Sequence, residues 1–414
     1  MSDGQMPLAG KREGIRGELR RNVLGQLKDQ IYLEDEQLYD QIDGAIRQKG
    51  REVYLPLKER LWLRNSLYDS FRRLDILQEL LDDKEVTEIM INGYDQIFVE
   101  KDGRIQSFSQ SFESEDRLAS IIQQIVAGCN RLVNEAVPIV DARLPDGSRV
   151  NVVLPPVALD GPTMTIRKFP KEKMTMERLI ELGALDEEAA GFLKLLVKAR
   201  YNIFVSGGTG AGKTTFLNAL SDYIPKTERI ITIEDSAELQ LRDVENLVRM
   251  ETRNSNVEGE NAITIRDLIK ASLRMRPDRV IVGEVRDSAA IDMLTAMNTG
   301  HDGSLSTGHA NSAYDMITRL ESMVLMGIEL PMEAVRRQIA SAVDIIIHLG
   351  RLRDGSRKVT EICEVTGIEN GQVQLMSLYE FEEQAEKGRK TVQGHLKKKA
   401  ALQNKEKLKR AGLE

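Results

Sequence analysis

Apolar residues recur at three- and four-residue steps through "LKERLWLRNSLYDSFRRLDILQELL", with long charged side chains between them. This spacing predicts amphipathic helices in an N-terminal segment spanning residues 1–80. From "VTEIMINGYDQIFVEKDGRIQSF" the period shortens to two and β-branched residues appear, the pattern of half-buried strands. Lys101-Asp102-Gly103-Arg104 supplies hairpin turn chemistry. A helix, "DRLASIIQQIVAGCN", comes next, and then a second hairpin, "IVDARLPDGSRVNVVLPP", turning at Pro145-Asp146-Gly147 with Arg143 and Arg149 on its arms. An α+β domain is expected over 81–168, ending near Pro170, with a linker over 169–180.

The pattern then changes to alternating strand and helix: "NIFVSGG", "TTFLNALSDYI", "RIITIED", "IRDLIKASLRM", "RVIVGEV", "AAIDMLTAMNTG", "SLSTGHA" and "AYDMITRLESMVLM". Such alternation predicts an α/β domain, here over 181–380, with a mainly parallel sheet covered by helices. "DIIIHLGRLRDGSRKVTEICEVTG" reads as an antiparallel hairpin at the edge of that sheet, followed by "QVQLMSLYEF". Residues 381–414 are left as a basic tail.

Composition narrows the class. With 41% hydrophobic and 30% charged residues in 414, the chain is an ordinary globular one. The N-terminus has no apolar core for a signal peptide, and no apolar run approaches the roughly 18 residues of a spanning helix, so a cytosolic location is expected. Two cysteines build neither a disulfide framework nor a C-x-x-C site. Residues 385–414 hold ten Lys or Arg against three Glu in a chain of net charge −7, so the body is acidic and a poor match for nucleic acid. The tail itself reads as a solvated, frayed helix, with a contact for anionic lipid or an acidic partner as the alternative.

"GGTGAGKTT", residues 207–215, fits G-x-x-x-x-G-K-[ST] after an apolar strand and before a helix. Gly207, Gly208, Thr209, Gly210, Ala211 and Gly212 let backbone N–H groups curl around phosphate oxygens, and the helix N-terminus favours their charge. Lys213 is placed to reach the β- and γ-phosphates; Thr214, beside Thr215, is placed to ligate Mg²⁺. ATP and Mg²⁺ are therefore the expected cofactors. Two strand ends offer carboxylates: "IITIED" with Glu234 and Asp235, and "RVIVGEVRD" with Glu284. Gly283 stands where P-loop proteins more often carry a metal-binding aspartate, which assigns the metal role to Glu284. One carboxylate would hold hydrated Mg²⁺ and the other would orient or deprotonate water. His301 and His309, eight apart across glycines, share no helix face and have no thiolate partners nearby, so zinc is disfavoured. His309 at a strand end would face the γ-phosphate as a sensor, while His301, at the preceding turn, would either assist it or serve the turn's structure.

"GGTGAGKTT", "TIEDSAEL", "RPDRVIVGEVRD" and "TGHDGSLSTGHANS" in this order resemble the phosphate loop, Asp box, metal-binding box and His box of the secretion-superfamily ATPases, which power type II and type IV secretion and type IV pili. "VTEIMINGYDQIFVEKDGRI", "LPDGSRVNVVLPP" and "TMTIRKF" are similar to the CpaF branch, the Flp or Tad pilus assembly ATPases. The resemblance covers roughly residues 60–365. It implies a RecA-like P-loop domain behind a PAS-like N-terminal domain, a homo-hexameric ring with nucleotide between the two, and Glu234 as base. It also implies arginines that reach the phosphates, matched by Arg149, Arg167 and Arg274. The implied partner is an inner-membrane platform protein, reached from the cytoplasmic face, with no nucleic acid. A type IV secretion motor, a retraction motor and, less well, a DNA translocase are the alternatives. The four-cysteine module of many type II ATPases is absent from this sequence.

Overall fold

The structure, a computed structural model, describes residues 8–27, 33–101, 103–129, 131–169, 174–241, 243–253, 261–384 and 392–414, to which counts and absences refer. The chain forms two compact units, Met1–Lys171 and Glu172–Glu414. Asp102 of the first hairpin turn and Pro170 at the expected domain end lie outside the described residues.

In the first unit, helices α1 (Leu8–Leu27), α2 (Asp35–Glu52), α3 (Leu57–Arg72) and α4 (Ile76–Asp82) precede strands β1 (Val86–Asn92), β2 (Ile97–Lys101) and β3 (Arg104–Ser107). Helix α5 (Glu115–Gly128) is followed by β4 (Ile139–Arg143), β5 (Arg149–Val153) and β6 (Thr163–Arg167). The strands form one antiparallel sheet in the order β3-β2-β1-β6-β5-β4. Period-two alternation puts Ile89, Ile91, Val150, Val152, Met164 and Ile166 in a core with Leu118, Ile121 and Ile125 of α5. Helices α1 to α3 bury a separate cluster that includes Leu19, Val23, Leu38, Ile42, Leu63 and Leu67.

A buried carboxylate joins these two cores. Asp75, at the α3–α4 corner, is only 4% exposed; it pairs with Arg16 of α1 and, at 2.6 Å, with Arg117 of α5. Burial pushes the Asp75 carboxyl up, but the two guanidinium groups outweigh burial and hold it below the usual aspartate value.

The second unit contains α6 (Met176–Glu181), α7 (Glu187–Lys198), β7 (Ile203–Gly207), α8 (Lys213–Ser221), β8 (Ile230–Glu234), β9 (Leu247–Glu251) and α9 (Ile265–Ser272). It continues with β10 (Arg279–Val282), α10 (Ala289–Asn298), β11 (Leu305–His309), α11 (Ala313–Gly327), α12 (Met332–Ala342) and β12 (Ile345–Arg351). Strands β13 (Arg357–Glu369), β14 (Gln372–Glu383) and β15 (Gly394–Lys398) and helix α13 (Glu406–Ala411) complete it. The sheet order is β15-β14-β13-β12-β7-β11-β10-β8-β9. From β12 through β9 neighbouring strands are parallel, and from β12 through β15 they are antiparallel. One face, including Ile203, Val205, Ile281, Leu305 and Ile347, packs on α7 and α8; the other, including Phe204, Ile231, Val280 and Ile346, packs on α9 to α12. With helices on both faces, β7 is buried at all five positions, which is why it reads as a continuous apolar run.

Two expectations need correction. The "DIIIHLG" hairpin is not at the edge: β12 lies directly beside β7, and β14 and β15 extend the sheet beyond it. The tail is not a frayed helix either. β15 pairs with β14, and the backbone N–H groups of Gln403 and Asn404 donate to Glu364 at 2.8 and 2.6 Å. Lys407 Nζ lies 2.7 Å from Asp302 and 2.6 Å from Asp344. The tail's positive charge is thus partly matched by carboxylates on distant segments of the sheet, a complementarity that a local charge count does not reveal.

Asp75→Ala would leave Arg16 and Arg117 facing each other with little solvent. We expect a loss of about 3 kcal/mol in urea unfolding at neutral pH. Because the folded-state pKa of Asp75 is depressed, its contribution is complete above the ordinary aspartate value and is lost as pH falls through the folded value. The gap between the two proteins should therefore narrow below about pH 4.

Candidate active site

The parallel strands β7, β8, β10 and β11 end at one edge of the sheet, and there the chemistry-bearing residues converge. The loop after β7 runs over Gly208, Thr209 and Gly210, all exposed, to buried Ala211. Gly212 caps α8 with φ of +91°, a left-handed conformation that suits glycine. The first N–H groups of α8 have no intrahelical acceptor, so the loop and helix end form an anion cradle. Thr214 is half-buried and Thr215 exposed on the first turn.

Lys213 folds back over this loop. Its Nζ donates to the Gly208 carbonyl and to His309 Nδ1, each at 3.1 Å. On the other side of the ring, His309 Nε2 lies 2.7 Å from Glu284 Oε1. Glu284 Oε2 accepts from Arg286 Nε and Nη2 at 2.8 and 2.6 Å, and Arg286 Nη1 is 3.7 Å from Asp235. Burial, together with Lys213 and Arg286, holds His309 below the usual histidine value although Glu284 pulls it up. The ring is therefore neutral near pH 7, accepting at Nδ1 from the ammonium with its proton on Nε2; Glu284 Oε1 lies close to that nitrogen but accepts no hydrogen bond. Burial likewise lowers Lys213. A cavity of about 500 Å³ opens beside this chain of charges, lined in part by Gly208, Thr209, Arg286, His309, Asp315 and Arg319.

Glu234 ends β8 on the sheet face covered by α8, the face shared by His309. Its Oε1 accepts from the backbone N–H groups of Glu238 and Leu239 at 2.8 and 2.9 Å, while buried Oε2 has no hydrogen-bond partner. Burial pushes this carboxyl up to about 7. A carboxylate with one oxygen fixed and the other unpartnered suits a base that takes a proton at Oε2. The glycine at 283 now has a physical reason: a Cβ there would lie 2.9 Å from Glu234 Cγ. An aspartate at 283 is incompatible with Glu234 in its observed position.

The remaining candidates are placed elsewhere. His301 precedes β11 and His309 ends it, so a whole strand separates them and they cannot share an ion. His301 serves its turn, its carbonyl accepting from Ser304 Oγ at 2.7 Å. Arg274 is exposed between α9 and β10, at the edge of the sheet opposite the phosphate loop, and so cannot serve the site of its own chain. Arg149 and Arg167 belong to the first unit. They are direct cross-strand partners, with Arg143 opposite Arg149 on the other side, in a row that continues to Glu88. Arg286 was not among the residues singled out in the sequence; the signal was its place two residues after Glu284 on the same strand exit.

For Mg²⁺, the donor chemistry fits: the Thr214 hydroxyl and the Glu284 carboxylate are hard oxygen donors of the kind the ion takes along with water. No described helix is long and apolar enough to cross a membrane.

A phosphate loop opening a helix at the carboxyl edge of a parallel sheet, with a lysine, a histidine and two glutamates gathered there, defines a P-loop nucleotide-binding α/β protein. Within that class, the chain belongs to the type II/IV secretion system protein family, whose model matches residues 72–411. A putative conjugal transfer protein of Mycobacterium tuberculosis is 35% identical over 310 residues, which are 73% of this chain and 87% of that protein. The type IV secretion system protein VirB11 of Brucella suis is 31% identical over 318 residues, 70% of this chain and 88% of that one. Among solved structures, the pilus retraction motor PilT with bound ADP shares the fold at a TM-score of 0.51 and 23% identity, covering 73% of this chain and 81% of that chain. Membership of this family, with the phosphate loop and its lysine in place, makes this chain an ATPase.

Two outcomes follow from Glu234. With its carboxyl near 7, the ionised fraction grows as pH rises through that value, so kcat should climb between about pH 6 and 8 and Glu234→Gln should remove both the climb and at least a hundredfold of turnover. Gly283→Ala, which adds no charge and touches no phosphate-loop residue, should lower kcat while leaving ADP affinity intact. Unchanged turnover in Gly283→Ala would show that the position of Glu234 is not critical.

Proposed function

We propose that the chain is a Mg²⁺-dependent motor that works as a homo-hexameric ring on the cytoplasmic face of the inner membrane. It converts ATP hydrolysis into force for Flp/Tad-type pilus assembly through a membrane platform protein. The observation that carries the motor reading is the line from Lys213 through His309 to Glu284 and Arg286, which makes the phosphate loop sensitive to what occupies the γ position. The similarity of "LPDGSRVNVVLPP" and "TMTIRKF" to the CpaF branch supports the pilus assignment. A type IV secretion motor is the second reading, favoured by relatives named for conjugal transfer and type IV secretion.

In either machine the residues do the same work. Backbone N–H groups of the loop receive the phosphates, and Lys213 turns from His309 to the β- and γ-oxygens. His309, released from the ammonium, then meets the γ-phosphate. Mg²⁺, when bound, would neutralise phosphate charge, held by Thr214 and through water by Glu284. Glu234 takes the proton of the attacking water at Oε2. Arg149 and Arg167 supply positive charge to the phosphates when the site closes, and Arg274 can do so only across a subunit boundary. ADP, lacking the γ-group, lets Lys213 return to His309, and this difference in contacts is what can drive a change of shape.

His309→Ala should therefore bind ADP almost normally while losing about 1 kcal/mol or more of affinity for a non-hydrolysable ATP analogue. Titration calorimetry with both nucleotides checks this, and equal losses for both would reduce His309 to a structural residue. The machine is identified by which platform protein co-purifies with the chain, that of a pilus or that of a conjugation-type system. Steep stimulation of turnover by DNA would overturn both in favour of a translocase.

A further inference from the structure

On the sheet face away from α8 lies a histidine that the mechanism has not used. His348 of β12 stands in register with Ser206 of β7, the residue immediately before Gly207 and the phosphate loop. It is 9% exposed, on the face where its strand neighbour Ile346 packs among apolar side chains. A polar ring at such a position costs desolvation unless both nitrogens find partners. Nδ1 finds one: it is 2.8 Å from Ser206 Oγ, and the backbone of Asn311, two residues beyond His309, acts on the ring as well. The alternative acceptor for the Ser206 hydroxyl, the Ile347 carbonyl, is 3.4 Å away, so the ring nitrogen is the stronger partner.

The arrangement has a direction. Burial holds the ring below the usual histidine value, against the pull of Glu361 and Asp315 and the Asn311 backbone, so it is neutral, with one acceptor and one donor. The Ser206 hydroxyl is the donor available to Nδ1, which leaves the ring's proton on Nε2. Between these partners, Gly308 lies opposite Ser206 in β11 and carries no side chain. A Cβ on Gly308 would come 2.5 Å from Met316 Cε, so the start of α11, which the Asn311 corner leads into, rests directly on the strand.

We infer that His348 is a positioning residue of the nucleotide site, a rigid planar strut that ties the strand feeding the phosphate loop to the corner that carries His309. The inference rests on the ATPase reading of that site and adds to it a second connection, on the opposite side of the sheet, between the two segments joined in front by Lys213 and His309. A shift of His309 on meeting the γ-phosphate is resisted, or passed to Ser206, through one imidazole.

The test uses the full chain with four variants: His348→Leu, His348→Gln, Ser206→Ala and the Ser206→Ala/His348→Leu double variant. Readouts are kcat at saturating ATP, affinities for ADP and a non-hydrolysable ATP analogue, and melting temperature. His348→Leu should lower kcat about fivefold or more, the equivalent of one buried hydrogen bond, and narrow the difference between analogue and ADP affinity while the melting temperature holds. Ser206→Ala should give a loss of the same kind, and the double variant should be no worse than His348→Leu, because the two residues act through one contact. His348→Gln, which keeps a donor and an acceptor, should recover part of the activity. Full activity and nucleotide discrimination in His348→Leu, or additive losses in the double variant, would overturn the inference while leaving the ATPase reading intact. A wild-type chain that bound no nucleotide would overturn both.

Discussion

The site depends on one neutral histidine held between a cation and a carboxylate. His309 accepts from Lys213 and faces Glu284, which Arg286 neutralises from the other side. Lys213 and Glu284 are largely shielded from solvent and are matched in turn, Glu284 by the exposed Arg286. On the proposed reading, a γ-phosphate beside the loop competes for Lys213 and breaks the sequence of contacts at its first link. The interactions that order the site would thus also make it responsive to the γ-phosphate.

Everything around this line of contacts sets its geometry. Parallel pairing brings the ends of β7, β10 and β11 to one edge, with His309 directly opposite Gly207. The Gly283 N–H donates to the Ile233 carbonyl at 2.8 Å and Thr307 Oγ1 donates to the Gly283 carbonyl at 2.7 Å, so the segment that presents Glu284 is fixed on both sides. Glu234 occupies the space that Gly283 leaves open and is kept uncharged for part of the time by burial. Positioning of this kind lowers the reorganisation that hydrolysis would otherwise require.

Much of this was legible in the chain because the signals are local. The phosphate loop needs a strand, glycines, a lysine and a helix within about a dozen residues, and continuous apolar runs announce strands buried on both faces. What could not be read depends on contacts between distant segments. Gly283 looked like a missing aspartate until Glu234 was found against it. Arg286 and His348 carry no local signal of their own, because what they do depends on Glu284 and Ser206. Arg274 was matched by its place before a motif, and its position ahead of β10 puts it at the end of its own sheet opposite the phosphate loop. The basic tail was judged by its own charge, whereas Asp302, Asp344 and Glu364, which receive it, lie on other segments.

The most direct measurement is nitrogen NMR of the ring of His309, practical because the chain has only four histidines. With ¹⁵N-histidine-labelled protein, the His309 Nδ1 resonance, identified from a His309→Ala control, would be followed with no nucleotide, with ADP and with a non-hydrolysable ATP analogue in Mg²⁺. The account predicts a neutral ring whose Nδ1 changes strongly with the analogue, as Lys213 leaves it, and little with ADP. An Nδ1 signal that moved equally with both nucleotides, or with neither, would contradict it.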